Sequence, residues 1–181
     1  AMYMMGKGKL KDNTVVTTVM ANIGFHKAIK ENGGRTEITA VGDRYVLENM
    51  LANGYNLGGE QSGHIIFTDF STTGDGPVTA LQVLSYLKRT RHKASAITKI
   101  MTSYPQLLVN VKVATKDGWE DNEAIKASIE EGKQQLGENG RILVRPSGTE
   151  PLIRVMAEGP DQKELEEICY KIADVVKAQQ G

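Results

Sequence analysis

The residues best equipped for chemistry are Arg145-Pro146-Ser147-Gly148-Thr149-Glu150-Pro151, with Arg154 three positions on. Pro146 fixes its own φ and Gly148 permits a positive one, so successive backbone N–H groups can turn toward one point. The hydroxyls of Ser147 and Thr149 add short donors. Arg145 and Arg154 reach the same point with permanently charged, bidentate forks. A phosphate is the ligand that uses all of these at once. The alternative is a Pro/Gly hairpin loop carrying two solvated arginines.

A second stretch, Gly58-Gly59-Glu60-Gln61-Ser62-Gly63-His64, sets one carboxylate, one amide, one hydroxyl and one imidazole among three glycines. Such a loop brings its backbone close to a ligand while its side chains meet hydroxyl groups, which suits a polyol or a sugar. A glycine-rich turn leading into a strand is the bland reading. Asp43-Arg44, directly after Val41-Gly42, falls at a strand-to-helix turn where α/β sheets expose ligand groups, although a helix cap with a surface arginine explains it equally well. No nucleophile motif stands out. His26, His64 and His92 are scattered and no cysteine or carboxylate group has metal-ligand spacing, so no metal site is expected.

The elements that must position these loops are legible around them. Short β-branched runs on either side of the arginine-rich stretch, 141–144 and 152–157, make it the connection between two strands. Upstream, strands at 14–19, 36–41, 55–57 and 64–67 alternate with helices: one capped by Asn22, one capped by Asp43, and one over 76–89. Residues 94–101 suggest a short further helix, and the opening residues 2–5 read as the end of another. This is an α/β layered pattern, most simply a mixed sheet with crossover helices. From residue 107 the order becomes strand, helix (122–136), strand, strand, helix (161–178), the β-α-β-β-α plan of a small α+β domain. Cys169 recurs with Leu165, Ile168 and Ile172 at helical spacing and is expected to be buried packing.

Composition supports a soluble, core-forming chain: of 181 residues 40% are hydrophobic and 24% charged. Lysine plus arginine and aspartate plus glutamate are 22 each, so no basic excess favours nucleic acid. No apolar run is long enough to span a membrane, and one cysteine forms no internal disulfide, which fits a reducing, cytoplasmic setting.

The two loops together resemble the sugar-binding and phosphate-binding loops of the α-D-phosphohexomutases. Gln61 with Val41-Gly42-Asp43-Arg44-Tyr45 points to the branch that acts on glucosamine phosphates. The resemblance implies that Glu60 and Ser62 hold sugar hydroxyls, with His64 and Arg44 nearby. It further implies that Arg145, Ser147, Gly148, Thr149 and Arg154 hold the phosphate of a hexosamine phosphate. The implied fold is α/β plus α+β: a third family domain over 1–91, a linker over 92–106 and a C-terminal phosphate-binding domain over 107–181. The phosphorylated serine and the aspartate loop for magnesium belong to the family's first two domains. The resemblance therefore implies a C-terminal fragment, inactive alone, whose partners are the hexosamine phosphate and the missing N-terminal domains. In the whole enzyme the serine, with magnesium and a hexosamine bisphosphate intermediate, would interconvert glucosamine 6-phosphate and glucosamine 1-phosphate for amino-sugar nucleotide and cell-wall precursor synthesis. The other readings are half of a phosphomannomutase or phosphoglucomutase, or a stand-alone phosphosugar-binding module.

Overall fold

Every residue of β1, Thr14–Thr18, is buried, as a strand covered on both faces must be. The computed structural model describes residues 1–97 and 99–181, and β1 is the centre of the first of two units, Ala1–Ser103 and Tyr104–Gly181. Around it the chain forms α1 (Met2–Gly6), α2 (Ile23–Glu31), β2 (Arg35–Thr39), α3 (Asp43–Asn53), β3 (Leu57–Gly59), β4 (Ile65–Phe67), α4 (Gly76–Thr90) and α5 (Ala94–Ile97). The sheet order is β2-β1-β3-β4. β1 runs parallel to β2 and β3, and β4 closes the edge antiparallel to β3.

Consecutive residues of β1 serve opposite layers. Val16 packs with Val46 and Met50 of α3 and with Ile66, whereas Val15 packs with Leu10, Ile29 and Leu57, with Met4 and Met5 of α1 against them. The hydroxyls of buried Thr14 and Thr17 find backbone acceptors; Thr17 donates from Oγ1 to Gly59 O at 2.9 Å. Caps set the helix starts: Asn22 accepts from Gly24 N at 3.0 Å and Asp75 from Val78 N at 2.8 Å.

Two local expectations need correction. The strand expected at 55–57 lies at Leu57–Gly59, so Gly58 and Gly59 belong to the sheet instead of opening a loop. The reason is packing, because a Cβ on Gly58 would fall 2.5 Å from Met50 Sδ and 2.7 Å from Val46 Cγ1. α3 lies directly on that strand. Asp43 also does not cap α3; the N-cap is Gly42 at φ 136, with no side-chain cap bond. Of the helix expected over 94–101, Ala94–Ile97 is helical and Thr98 lies outside the described residues.

The second unit contains β5 (Gln106–Lys112), α6 (Glu123–Leu136), β6 (Arg141–Pro146), β7 (Leu152–Glu158) and α7 (Gln162–Gln180), with an antiparallel sheet in the order β5-β7-β6. Ile153, Val155 and Ala157 of β7 face a core of Leu165, Ile168, Cys169, Ile172 and Val176 from α7 and Ile125 from α6. Asn122 and Asp161 cap these helices, each accepting from two backbone N–H groups. Burial pushes the Cys169 thiol up to about 11. The alternate residues of β7 face the other way. There Asn110 and Arg145 flank Arg154 in one cross-strand row, and the carboxylate of Glu158, fully buried, meets Arg141 Nε at 2.7 Å.

Candidate functional site

The antiparallel β6–β7 pair ends in a tight connection that gathers the arginine-rich stretch. Ser147 N donates to Leu152 O at 2.8 Å, and Leu152 N to Glu150 O at 2.8 Å. Ser147 is 2% exposed, and its Oγ accepts from Glu150 N and from Arg154 Nη2, both at 3.3 Å. Arg154 Nη2 also meets the Glu150 carboxylate at 3.1 Å. Gly148 and Thr149 stand exposed at the tip. Among the described residues their N–H groups have no acceptor, and Arg154 Nε is buried without one.

The electrostatics favour an anion here. Arg145 and Arg154 are directly opposed across β6 and β7, an arrangement in which like charges repel. Burial and, next, the Arg154 charge lower the affinity of the Arg145 guanidinium for its proton. Among the described residues the Arg145 guanidinium makes no hydrogen bond. Gly148 does not take the positive φ that its identity suggested. Its missing side chain leaves open space instead, with nothing within 4 Å of the place a Cβ would occupy. A ligand can therefore approach this backbone closely.

In the first unit, β3 delivers Glu60 and β4 begins just past His64. Glu60 N donates to His64 O at 2.9 Å and Gly63 N to Glu60 O at 3.1 Å, with Gly63 at φ 100. The carboxylate of Glu60 has 10% of its side chain exposed and lies 3.8 Å from His64 Nδ1, whose ring is 61% exposed. Ser62 Oγ bridges them, 3.3 Å from Glu60 Oε2 and 3.3 Å from His64 Nδ1. Glu60 Oε1 accepts from Gly42 N at 2.8 Å, which ties this loop to the β2–α3 turn. Arg44 is not in the cluster; its Nε turns along α3 to Glu48 at 2.7 Å, and its side chain is 81% exposed.

Two contributors were not visible in the sequence. Lys116 donates from Nζ to Ser147 O at 2.8 Å, 31 residues away in the chain. Gly42 holds Glu60 through its backbone, a role no side-chain pattern announces. Among the described residues no group of three or more His, Cys, Asp or Glu could hold a metal ion. No helix of the described residues is long and apolar enough to cross a membrane.

Comparison with known proteins adds a family to this geometry. Residues 1–104 match the model described as phosphoglucomutase/phosphomannomutase, alpha/beta/alpha domain III, and residues 108–175 match the same family's C-terminal domain.

The chain belongs to the phosphoglucomutase/phosphomannomutase family.

Within this family, a Brevibacillus brevis protein named phosphoglucosamine mutase is 56% identical over 179 residues, covering 99% of this chain and 40% of the relative. A Bacillus pumilus protein of the same name is 52% identical over 181 residues, covering 100% and 40%. The chain thus spans about 40% of the length of these curated relatives. Among solved structures, an Aspergillus fumigatus N-acetylphosphoglucosamine mutase superposes with a TM-score of 0.80 at 21% identity, over 99% of this chain and 40% of that one. A second structure from that organism, in complex with GlcNAc-6P and magnesium, gives 0.78 at 20% identity over 98% and 41%. These likenesses speak to the fold, a family member's α/β/α domain followed by its C-terminal domain.

Proposed function

We propose that these residues are the substrate-binding half of a phosphoglucosamine mutase. The cradle formed by Arg145, Ser147, Gly148, Thr149 and Arg154 binds the phosphate of a glucosamine phosphate. Glu60, Ser62 and His64 bind its sugar hydroxyls; Arg44, paired with Glu48 on α3, would have to leave that partner to join them. In the whole protein, a phosphoserine outside these residues passes its phosphoryl group to glucosamine 6-phosphate. The resulting bisphosphate returns its other phosphoryl group to the serine and leaves as glucosamine 1-phosphate. The cradle grips the phosphate that is not reacting, a remote contact that supplies orientation to the reacting end. Magnesium, recorded with an Aspergillus relative, is held by that other part of the protein, where it would neutralise charge on the moving phosphoryl oxygens. The reading divides the chain into a third domain over 1–91, a linker over 92–106 and a phosphate-binding domain over 107–181, in a cytoplasmic enzyme of amino-sugar and cell-wall precursor synthesis.

One observation carries it: the opposed Arg145 and Arg154 beside the unaccepted N–H groups of Gly148 and Thr149. The 181-residue chain, mixed with glucosamine 6-phosphate and a hexose bisphosphate primer, is expected to bind the sugar phosphate without turning it over. Steady formation of the 1-phosphate would overturn the division of labour, and absence of binding would remove the phosphate assignment. Competition by mannose and glucose phosphates against glucosamine 6-phosphate in the complete protein separates this branch from the phosphomannomutases and phosphoglucomutases.

A further inference from the structure

Lys116 lies in the polar turn that follows β5, half-buried. Its ammonium has no carboxylate within 4.0 Å among the described residues; its partner is the carbonyl of Ser147, at 2.8 Å. A half-buried lysine that forgoes an ion pair for one backbone carbonyl is placed for what that carbonyl controls. We propose that Lys116 is a positioning residue of the phosphate cradle, acting through the Ser147–Gly148 peptide; the proposal rests on the phosphate reading of that loop.

The argument is one of peptide geometry. No peptide bond in the described chain is cis, and in a planar trans peptide the C=O and N–H point in opposite directions. Holding Ser147 O toward Lys116 therefore directs the Gly148 N–H away from it, and that N–H has no acceptor among the described residues. The ammonium also polarises the amide, making Gly148 N–H a stronger donor. Ser147 is secured at its other polar atoms as well, N to Leu152 O and Oγ to Glu150 N and Arg154. Of these restraints, only the lysine governs the orientation of the outgoing peptide. Its charge adds to those of Arg145 and Arg154 without touching the ligand.

The test uses the complete protein, labelled with 15N-glycine, in four forms: unsubstituted, Lys116→Met, Lys116→Arg and Arg154→Ala. Lys116→Met is expected to raise KM for glucosamine 6-phosphate about tenfold, the loss of one modest hydrogen bond's free energy, with kcat altered much less. Its Gly148 amide resonance should move in the free protein and titrate at correspondingly higher ligand concentration. Lys116→Arg, which keeps the charge, should restore both. Wild-type KM and an unmoved Gly148 resonance in Lys116→Met would overturn the proposal. If thermal unfolding shows that Lys116→Met does not fold, Lys116→Gln replaces it with the same criteria. Failure of the underlying reading looks different: the unsubstituted protein's Gly148 resonance would ignore the ligand and Arg154→Ala would leave KM unchanged.

Discussion

Gly148 separates two reasons for a glycine. The sequence suggests a backbone need, a positive φ, but the residue adopts none and a Cβ there meets nothing within 4 Å. On the proposed reading, the space beside it would admit the phosphate. Gly148→Ala should leave the unfolding temperature unchanged while weakening phosphosugar binding, which calorimetry on one sample can show. Arg145→Ala and Arg154→Ala should each weaken binding by about 1.5 to 3 kcal/mol, the range for a hydrogen bond to a charged group. Arg145→Ala should not lower folding stability, since its guanidinium has no hydrogen bond among the described residues and opposes a like charge. Equal binding by all three variants would sink the cradle. At this scale the sequence named the loops because their residues are contiguous. It could not name Lys116, whose contact spans 31 positions, or the role of Gly42, which acts through an N–H that every non-proline residue has. Arg44 is contiguous with its motif yet turns to Glu48, because an exposed arginine on a helix finds a carboxylate one turn away.

Helix starts are legible where a side chain caps them. Asn22, expected as a cap, accepts from Gly24 N, and Asp75, Asn122 and Asp161 likewise accept from first-turn N–H groups. The start of α3 escapes this signal because glycine at φ 136 can occupy that position without a side chain. The bounds of β3 escape for a related reason: glycine usually weakens a strand, but Gly58 here admits a helix. Gly58→Ala would press a Cβ against Met50 and Val46 of α3 and within 3.1 Å of Val16 O. The expected cost is about 1 to 3 kcal/mol of stability, typical of overpacking, measurable as a lower urea midpoint at unchanged slope. A stability equal to that of the unsubstituted chain would mean that α3 stands further from the strand. Set beside Gly148→Ala, the same chemical change thus has different outcomes in a strand and in a loop: loss of stability in β3, loss of affinity at the β6–β7 connection.

For the molecule as a whole, the layer order followed from the alternation of local patterns, and the change from α/β to β-α-β-β-α was legible at residue 107. Strand order was not, because the pairing of β1 with β3 and of β5 with β7 is decided by contacts far apart in sequence. Burial of Cys169 gives the second unit a pH response. Its thiol is raised from 9.0 to about 11 by desolvation, so the folded state holds the proton more tightly than the unfolded chain. The associated stability is complete below pH 9.0 and is lost as pH rises through about 11. Denaturation midpoints measured between those limits should fall, and the thiol should resist a disulfide reagent at neutral pH until the chain unfolds. Rapid labelling of native protein would contradict that burial. With formal net charge zero, no salt-sensitive retention of an oligonucleotide is expected.

The bond from Gly42 to Glu60 has a further meaning when acceptor sites are counted. A carboxylate offers about four lone-pair sites. The protein fills one on Oε1 with the Gly42 N–H and one on Oε2 with the Ser62 hydroxyl. That leaves vacancies for about two donors, the number that two neighbouring hydroxyls on a ring can present. On the proposed reading, a sugar offering one would leave the carboxylate undersaturated, and one offering more would have to displace the Gly42 N–H or the Ser62 hydroxyl. Selectivity in this loop, if it holds a sugar as proposed, would be a matter of valence: the carboxylate would count a visitor's donors against those already seated.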